Sequence, residues 1–397
     1  MSKVLFVNGN VHGHINPTLP VVNELIKRGE EVTYFSTCEF KKKIEAAGAL
    51  FIDYGNVLTH FLESFKPCGN HPFYTLIEFM LQMDRTIIPV IIEKTAGIEF
   101  DYIIHDSMFG GGNVLARKLN KPAICSCTSF AMNRLPLPDR MFEPGFHPQL
   151  DNLYRELEDT AKEWGKDTTT IMDIFFKKEE LNIVFTSSMF QPEVQSFDDS
   201  FKFVGPSIAE RKEESDFSLD ELEKDTVVYI SMGTINNKYP DFYRKCIEAF
   251  KKENFKAVMS VGNKTDIASI GEIPDNFIVR NYVPQLEVLK RADIFISHGG
   301  LNSVSEALYY GVPVIAIPQA NDQPMVTRQI TALGAGIGLK MEEVTVEVLR
   351  DSARDMLSKS SFRKSSIEIG NSFKKGGGYK VAVDYILDFK KKQCIAN

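Results

Sequence analysis

No Cys-x-x-Cys pair occurs among the six cysteines, Cys38, Cys68, Cys125, Cys127, Cys246 and Cys394. Several of them sit in apolar surroundings, so reduced thiols in a reducing compartment, the cytoplasm, are expected rather than a disulfide framework. No run approaches the ~18 apolar residues of a membrane span. The opening Met1-Ser-Lys-Val-Leu-Phe-Val7 is too short an apolar stretch for a signal peptide. Positive charge is in deficit, with 46 Lys and Arg against 53 Asp and Glu and a net charge of −7. That argues against nucleic acid or an anionic membrane as a main partner. Asp-x-Asp is absent, and Trp164 is the sole tryptophan. What is present is ordinary globular material, 43% hydrophobic and 25% charged over 397 residues. That length exceeds one typical core and predicts two domains.

The most informative stretch is Asp293-Ile-Phe-Ile-Ser-His-Gly-Gly-Leu-Asn-Ser-Val-Ser-Glu306. Its apolar run from Ile294 to Ser297 reads as a buried strand, and Leu301 to Tyr310 as a helix stopped by Gly311 with Pro313 beyond. Such a turn aims free backbone N–H groups and the positive end of a helix dipole at one spot, which suits a phosphate. Gly299 and Gly300 permit close approach, and His298, Asn302 and Ser303 add side-chain donors. Glu306, one turn further, accepts only, and suits a pair of sugar hydroxyls. A strand-turn-helix with glycines serving close packing accounts for the glycines but for none of these four polar residues.

Strand and helix patterns alternate on both sides of this element. Val4–Asn8, Glu31–Ser36, Leu50–Ile52, Tyr102–His105, Ala123–Cys127, Asn182–Phe185 and Phe201–Val204 read as one parallel set of strands. Asn16 is the expected N-cap of the first helix, with Pro17 at its first position. A polar stretch at 207–224 reads as a linker, and a second series starts at Thr226. The boundaries expected are 1–206, a linker at 207–224, 225–378, and a last amphipathic helix within 379–397. Two long inserts interrupt the first half: Val57–Asn70 with Phe61 and Phe65, and Thr128–Leu150 with Phe130, Met132 and Phe142. Exposed aromatics and methionine near strand ends suggest an adaptable apolar pocket. That these side chains only fasten the loops down stands equally beside it.

Two further places carry chemistry. His14 follows the first strand in Gly9-Asn-Val-His-Gly-His14, and Asp106 ends the Tyr102–His105 strand; both lie at carboxyl ends, where sites of parallel sheets form. A carboxylate on one imidazole nitrogen fixes the tautomer and supports the imidazolium when the other takes a proton. Ser231-Met-Gly233-Thr234 is another Gly turn after a strand. Gly334-Ala-Gly-Ile-Gly338 lacks dinucleotide-loop spacing and follows a helix, so it reads as a helix stop.

Tyr282-Val283-Pro-Gln285, then His298 to Glu306, then Asp322-Gln323 resembles the donor signature of the UDP-glycosyltransferase superfamily, most closely the bacterial macrolide and flavonoid glucosyltransferases. The family's Gly-His-x-x-Pro matches Gly13-His14-Ile-Asn-Pro17, and its supporting Asp matches Asp106. The resemblance implies an α/β, GT-B fold: two Rossmann-like, doubly wound parallel-sheet domains facing across a cleft, with the last helix packing back on the first domain. It implies an inverting transfer of glucose from UDP-glucose to a hydroxyl of a small hydrophobic acceptor. His14 would be the general base, oriented by Asp106. Ser231, Gly233, Thr234, Tyr282, Val283, Gln285, His298, Gly300, Asn302, Ser303, Glu306, Asp322 and Gln323 would hold the donor. Phe61, Phe65, Phe130, Met132 and Phe142 would meet the acceptor. No metal and no other cofactor are expected, and the protein should be a monomer or weak dimer. Tyr282 departs from the family's Trp; Tyr stacks with less area, which leaves both UDP and TDP donors open. Gln323 resembles the glucose-using members. Competing readings are a GT-B sugar-nucleotide epimerase and a non-catalytic sugar-nucleotide or lipophile-binding protein.

Overall fold

The computed structural model describes residues 1–395 apart from 109–110, 136, 211–216, 218, 220–221, 223–224, 234–237 and 321. Most of the expected linker at 207–224 therefore lies outside the described residues. The chain forms two compact units. One comprises Met1–Phe185, Glu193–Ser207 and Gly377–Asn397, the other Thr186–Pro192 and Ile208–Gly376. Residues 186–192, read from the sequence as part of the first domain, thus group with the second unit.

Seven strands build the first sheet: β1 (Lys3–Val7), β2 (Glu31–Ser36), β3 (Leu50–Asp53), β4 (Tyr102–Asp106), β5 (Ala123–Cys127), β6 (Asn182–Val184) and β7 (Phe201–Phe203). Their order is β3-β2-β1-β4-β5-β6-β7, all parallel. Chain order reverses between β1 and β4, which makes that pair the switch point where a doubly wound sheet opens a crevice at its carboxyl ends. The second sheet has β8 (Val227–Ser231), β9 (Lys256–Ser260), β10 (Phe277–Arg280), β11 (Ile294–Ser297), β12 (Val314–Ala316) and β13 (Gly336–Gly338). Its order is β10-β9-β8-β11-β12-β13, again all parallel, with the switch point between β8 and β11. Strands buried on both faces must be apolar throughout. Val4 to Val7 and Ile294 to Ile296 meet this, each residue at most 1% exposed.

Four helices differ from the sequence expectation. The first runs His12–Lys27, capped by Val11, with Pro17 and Pro20 inside it. Pro normally enters at the first turn because it lacks an N–H, and this placed the expected start at Asn16. The chain instead begins winding at His12, ahead of the expected Pro17, so His14 belongs to the helix rather than to a loop before it. The insert at Val57–Asn70 contains a helix, Val57–Ser64, and a 23-residue helix, Pro72–Lys94, follows. The second insert ends in the helix Pro148–Glu163. In the glycine-rich stretch after the helix Gln323–Ala332, Gly334 does stop the helix, but Gly336–Gly338 is the edge strand β13.

The last helix, Gly378–Lys392, packs on the first unit. Ala382, Val383, Ile386 and Phe389 join the core cluster that holds Val4, Phe6 and Val22. Lys390 Nζ donates to Glu30 Oε1 at 2.8 Å with both side chains under 5% exposed. Glu30 Oε2 accepts from Tyr102 Oη at 3.1 Å. Removing one partner of such a pair would strand a buried charge, which ties the chain's end to β2 and β4.

Candidate active site

Each sheet carries a polar loop cluster at its switch point. In the first unit, the turn after β1 is pinned from below. Asn8 Nδ2 donates to the His14 carbonyl at 2.6 Å and to Tyr34 Oη at 3.1 Å, and Thr18 Oγ1 lies 2.9 Å from the same phenol oxygen. The first helical turn then carries the His14 ring to the end of β4. Its Nδ1 lies 2.7 Å from Asp106 Oδ2, with the imidazole side chain 21% exposed and the carboxylate fully buried. Asp106 Oδ1 accepts from the Met108 amide at 2.7 Å. Burial pushes the Asp106 carboxyl up. The charge and hydrogen bond of His14, with the Met108 amide and the Thr128 hydroxyl, outweigh that and hold it below its ordinary value. A carboxylate on Nδ1 keeps the proton there and leaves the Nε2 lone pair as the basic atom.

Thr128, just past β5, is a member of this cluster that sequence reasoning did not single out. Its Oγ1 lies 2.9 Å from His14 Nδ1 and 3.1 Å from Asp106 Oδ2. The parallel register that sets β5 beside β4 was the only available signal. The other histidines nearby are held elsewhere. His12 pairs with Glu39 at 3.2 Å. His105 is wholly buried, with Nε2 2.9 Å from Glu179 Oε1 and Nδ1 3.1 Å from the Asp106 carbonyl, and it is structural.

The expected acceptor residues divide. Phe61 and Phe65 pack on Phe79 with ring centroids 5.2 and 5.1 Å away, and Phe61 is 7% exposed. Phe142 sits edge-on to Phe73 at 5.8 Å. Phe130 is 2% exposed. Exposed aromatics were expected; the rings instead cover one another, because stacked and edge-to-face pairs add to the gain from burial. Phe130 and Met132 do border a cavity with Met108, two residues beyond Asp106, but at about 30 Å³ it has no room for an organic acceptor.

In the second unit, β8 ends at Ser231 and β11 at Ser297. The His298 ring fills the space between their two turns. A Cβ at Gly233, where φ is +83°, would fall 2.7 Å from the ring, and one at Gly300 would fall 2.5 Å from Nε2. Both positions therefore demand glycine. Burial drives the His298 pKa down to about 4 against an opposing hydrogen bond with the Ser231 backbone. The ring is therefore neutral near pH 7 and carries no charge to this turn. Gly300 is the N-cap of the helix Leu301–Tyr309, which has no side-chain cap and no acidic residue in its first turn. The half-buried Asn302 and Ser303 stand in that turn.

Glu306 is 5% exposed and accepts from Gln285 Nε2 at 2.6 Å, while Gln285 Oε1 accepts from Tyr229 Oη at 3.2 Å. Tyr282 is 55% exposed and offers a ring face. Val283, expected at the donor, is 1% exposed and is a core residue. It follows β10 beside the buried Pro284, and Tyr282 before it is the residue that reaches the surface. Asp322 is the N-cap of the helix Gln323–Ala332. Gln323 Oε1 accepts from the Gln319 and Ala320 amides at 2.8 and 3.2 Å, so its carbonyl end braces its own loop. A Cβ at Gly299 would lie 3.7 Å from the Gln323 carbonyl, so this turn adjoins the His298 turn. Thr234 lies outside the described residues.

Two Rossmann-like units, one with a His–Asp pair and the other with a glycine-lined helix start at its switch point, are the architecture of a GT-B enzyme. Comparison with known proteins agrees. The profile described as Erythromycin biosynthesis protein CIII-like, C-terminal domain, matches residues 254–374. A Bacillus subtilis protein described as an uncharacterized UDP-glucosyltransferase, YojK, is 36% identical over 99% of this chain and 98% of its own. The NDP-glycosyltransferase YjiC of the same species is 35% identical over 99% and 98%. The solved structure of CalG4, the calicheamicin glycosyltransferase, superposes with a TM-score of 0.84 at 25% identity, covering 99% of each chain. The chain belongs to the GT-B glycosyltransferase family.

Proposed function

We propose that the protein transfers glucose from UDP-glucose to a hydroxyl of a small hydrophobic acceptor such as a flavonoid, another phenolic, a macrolide or a terpenoid, with inversion at the anomeric carbon. The observation that carries this reading is the 2.7 Å contact between His14 Nδ1 and the buried Asp106 carboxylate at the switch point of the first sheet. His14 Nε2 takes the proton of the acceptor hydroxyl. The acceptor oxygen bonds to the anomeric carbon as the bond from that carbon to the UDP oxygen breaks, and UDP departs with the electron pair. Asp106 supports the imidazolium that forms; help of this kind is worth roughly 10²–10⁴-fold.

On the donor side, the helix start at Gly300, with Asn302, Ser303 and the neutral His298 N–H, meets the charge growing on the pyrophosphate. Glu306 accepts from the ribose hydroxyls, and the exposed Tyr282 ring stacks on the base. We read the reaction as metal-independent, since fixed dipoles supply what a cation otherwise would. The relatives' names support the UDP-glucose donor, and they lend no support to the epimerase alternative. No described helix is long and apolar enough to cross a membrane. A cytoplasmic monomer or weak dimer is the setting we propose.

The test is release of free UDP from UDP-glucose by the purified protein, with and without an added phenol and with and without EDTA. Release that depends on the phenol and ignores EDTA is expected, and His14→Ala should abolish it while UDP still binds. Acceptor-independent conversion of UDP-glucose, or full turnover in His14→Ala, overturns the reading.

A further inference from the structure

Behind the Glu306 carboxylate stands a hydrogen-bonded relay, Tyr229 to Gln285 to Glu306, whose first member has no part in the reaction just described. Tyr229 is on β8, 1% exposed, its ring stacked on Phe295 at 4.9 Å. Its hydroxyl donates to Gln285 Oε1 at 3.2 Å, and Gln285 Nε2 donates to Glu306 Oε2 at 2.6 Å. The three residues come from three elements: β8, the short helix Gln285–Leu289, and the helix Leu301–Tyr309.

Only one orientation of the Gln285 amide suits both neighbours. With Oε1 toward the phenol and Nε2 toward the carboxylate, each contact pairs a donor with an acceptor. Turned over, the amide would set its carbonyl oxygen against a 5% exposed carboxylate, which burial makes costly. The Glu306 carboxylate, which only accepts, therefore selects the amide orientation, and the Tyr229 hydroxyl holds the amide's other end, so the braced amide in turn fixes the Glu306 rotamer. A carboxylate clamped on one oxygen keeps the other in a fixed direction.

We propose that Tyr229 is a positioning residue for the donor site. Acting through Gln285, it fixes the Glu306 carboxylate so that the enzyme reads the ribose of its nucleotide and discriminates against the 2′-deoxy form. The inference rests on the assignment of Glu306 to the ribose hydroxyls made above.

The experiment measures, by calorimetry, the affinities of wild type, Tyr229→Phe and Gln285→Leu for UDP and for 2′-deoxy-UDP, with a thermal melt of each. Wild type should prefer UDP. Tyr229→Phe keeps the ring and its stack and removes one hydroxyl. It should narrow the UDP to 2′-deoxy-UDP ratio by roughly three- to tenfold, the range of one hydrogen bond, with most of the loss on UDP. Gln285→Leu, at a half-buried position, tests the same relay if the Phe variant does not fold, and should narrow the ratio at least as far. If wild type discriminates but both variants keep its ratio, or lose affinity for both ligands equally, the relay is packing only and the inference fails alone. If wild type binds the two ligands equally, the assignment of Glu306 fails, and the inference falls with it.

Discussion

Asp106→Asn is the most direct probe of the dyad. The substitution preserves shape in a fully buried site, so its effect falls on charge and hydrogen bonding. Oδ1 holds the Met108 amide at 2.7 Å and Oδ2 faces both His14 Nδ1 at 2.7 Å and Thr128 Oγ1 at 3.1 Å. With an amide in place, either the oxygen stays toward Met108 and an NH₂ faces Nδ1, or the NH₂ opposes the Met108 N–H. The first is the milder conflict. It turns Nδ1 into the acceptor and moves the ring proton to Nε2, the atom that should be taking one. The imidazolium also loses its counter-charge; two unit charges about 4 Å apart at an effective dielectric of about 20 interact by about 4 kcal/mol. Together these predict a fall in kcat of about 10³-fold at saturating donor and acceptor, with UDP affinity within about threefold of wild type. Initial rates of UDP release and calorimetric UDP binding read both quantities. A fall below tenfold, or a loss of donor affinity matching the loss in rate, would refute the orienting role.

Thr128→Val should lower kcat roughly tenfold and leave donor binding within twofold, because it removes one hydrogen bond to a charged group and nothing from the second unit. An unchanged rate assigns Thr128 to packing. His298 makes stability depend on pH. Its folded pKa of about 4 lies below the ordinary 6.5, so the unfolded chain binds the proton more readily. The stability is complete above pH 6.5 and is lost as pH falls from there to about 4, by roughly 3 kcal/mol for this group alone. Denaturant melts of wild type and His298→Asn between pH 7.5 and 4.5 should converge with acid by about that amount; parallel curves would place the ring in water.

The strands were legible because parallel strands buried on both faces must be continuous apolar runs, and Val4–Val7 and Ile294–Ile296 can be little else. The helix containing His14 starts at His12 rather than the expected Pro17 because Pro17 and Pro20 look like boundary residues, and only tertiary packing shows that the helix passes through them. The loop after β11 was legible in its residue types, since His298, Gly300, Asn302 and Glu306 fall at fixed offsets from a strand end. The roles inside it were less so. Nothing local distinguishes Val283, turned into the core, from Tyr282, turned to solvent. Thr128 and Tyr229 were invisible for a different reason: each touches a residue far away in the chain, and single-sequence spacing carries no such pairing.

The buried Lys390–Glu30 contact has a consequence for synthesis. The first unit's apolar layer around Val4 and Val22 is finished by a segment the ribosome makes after all of the second unit. The amino-terminal half must therefore wait, partly uncovered, while its neighbour folds. Nicks or frameshifts within Gly378–Lys392 should then unsettle the first unit and leave the second comparatively intact.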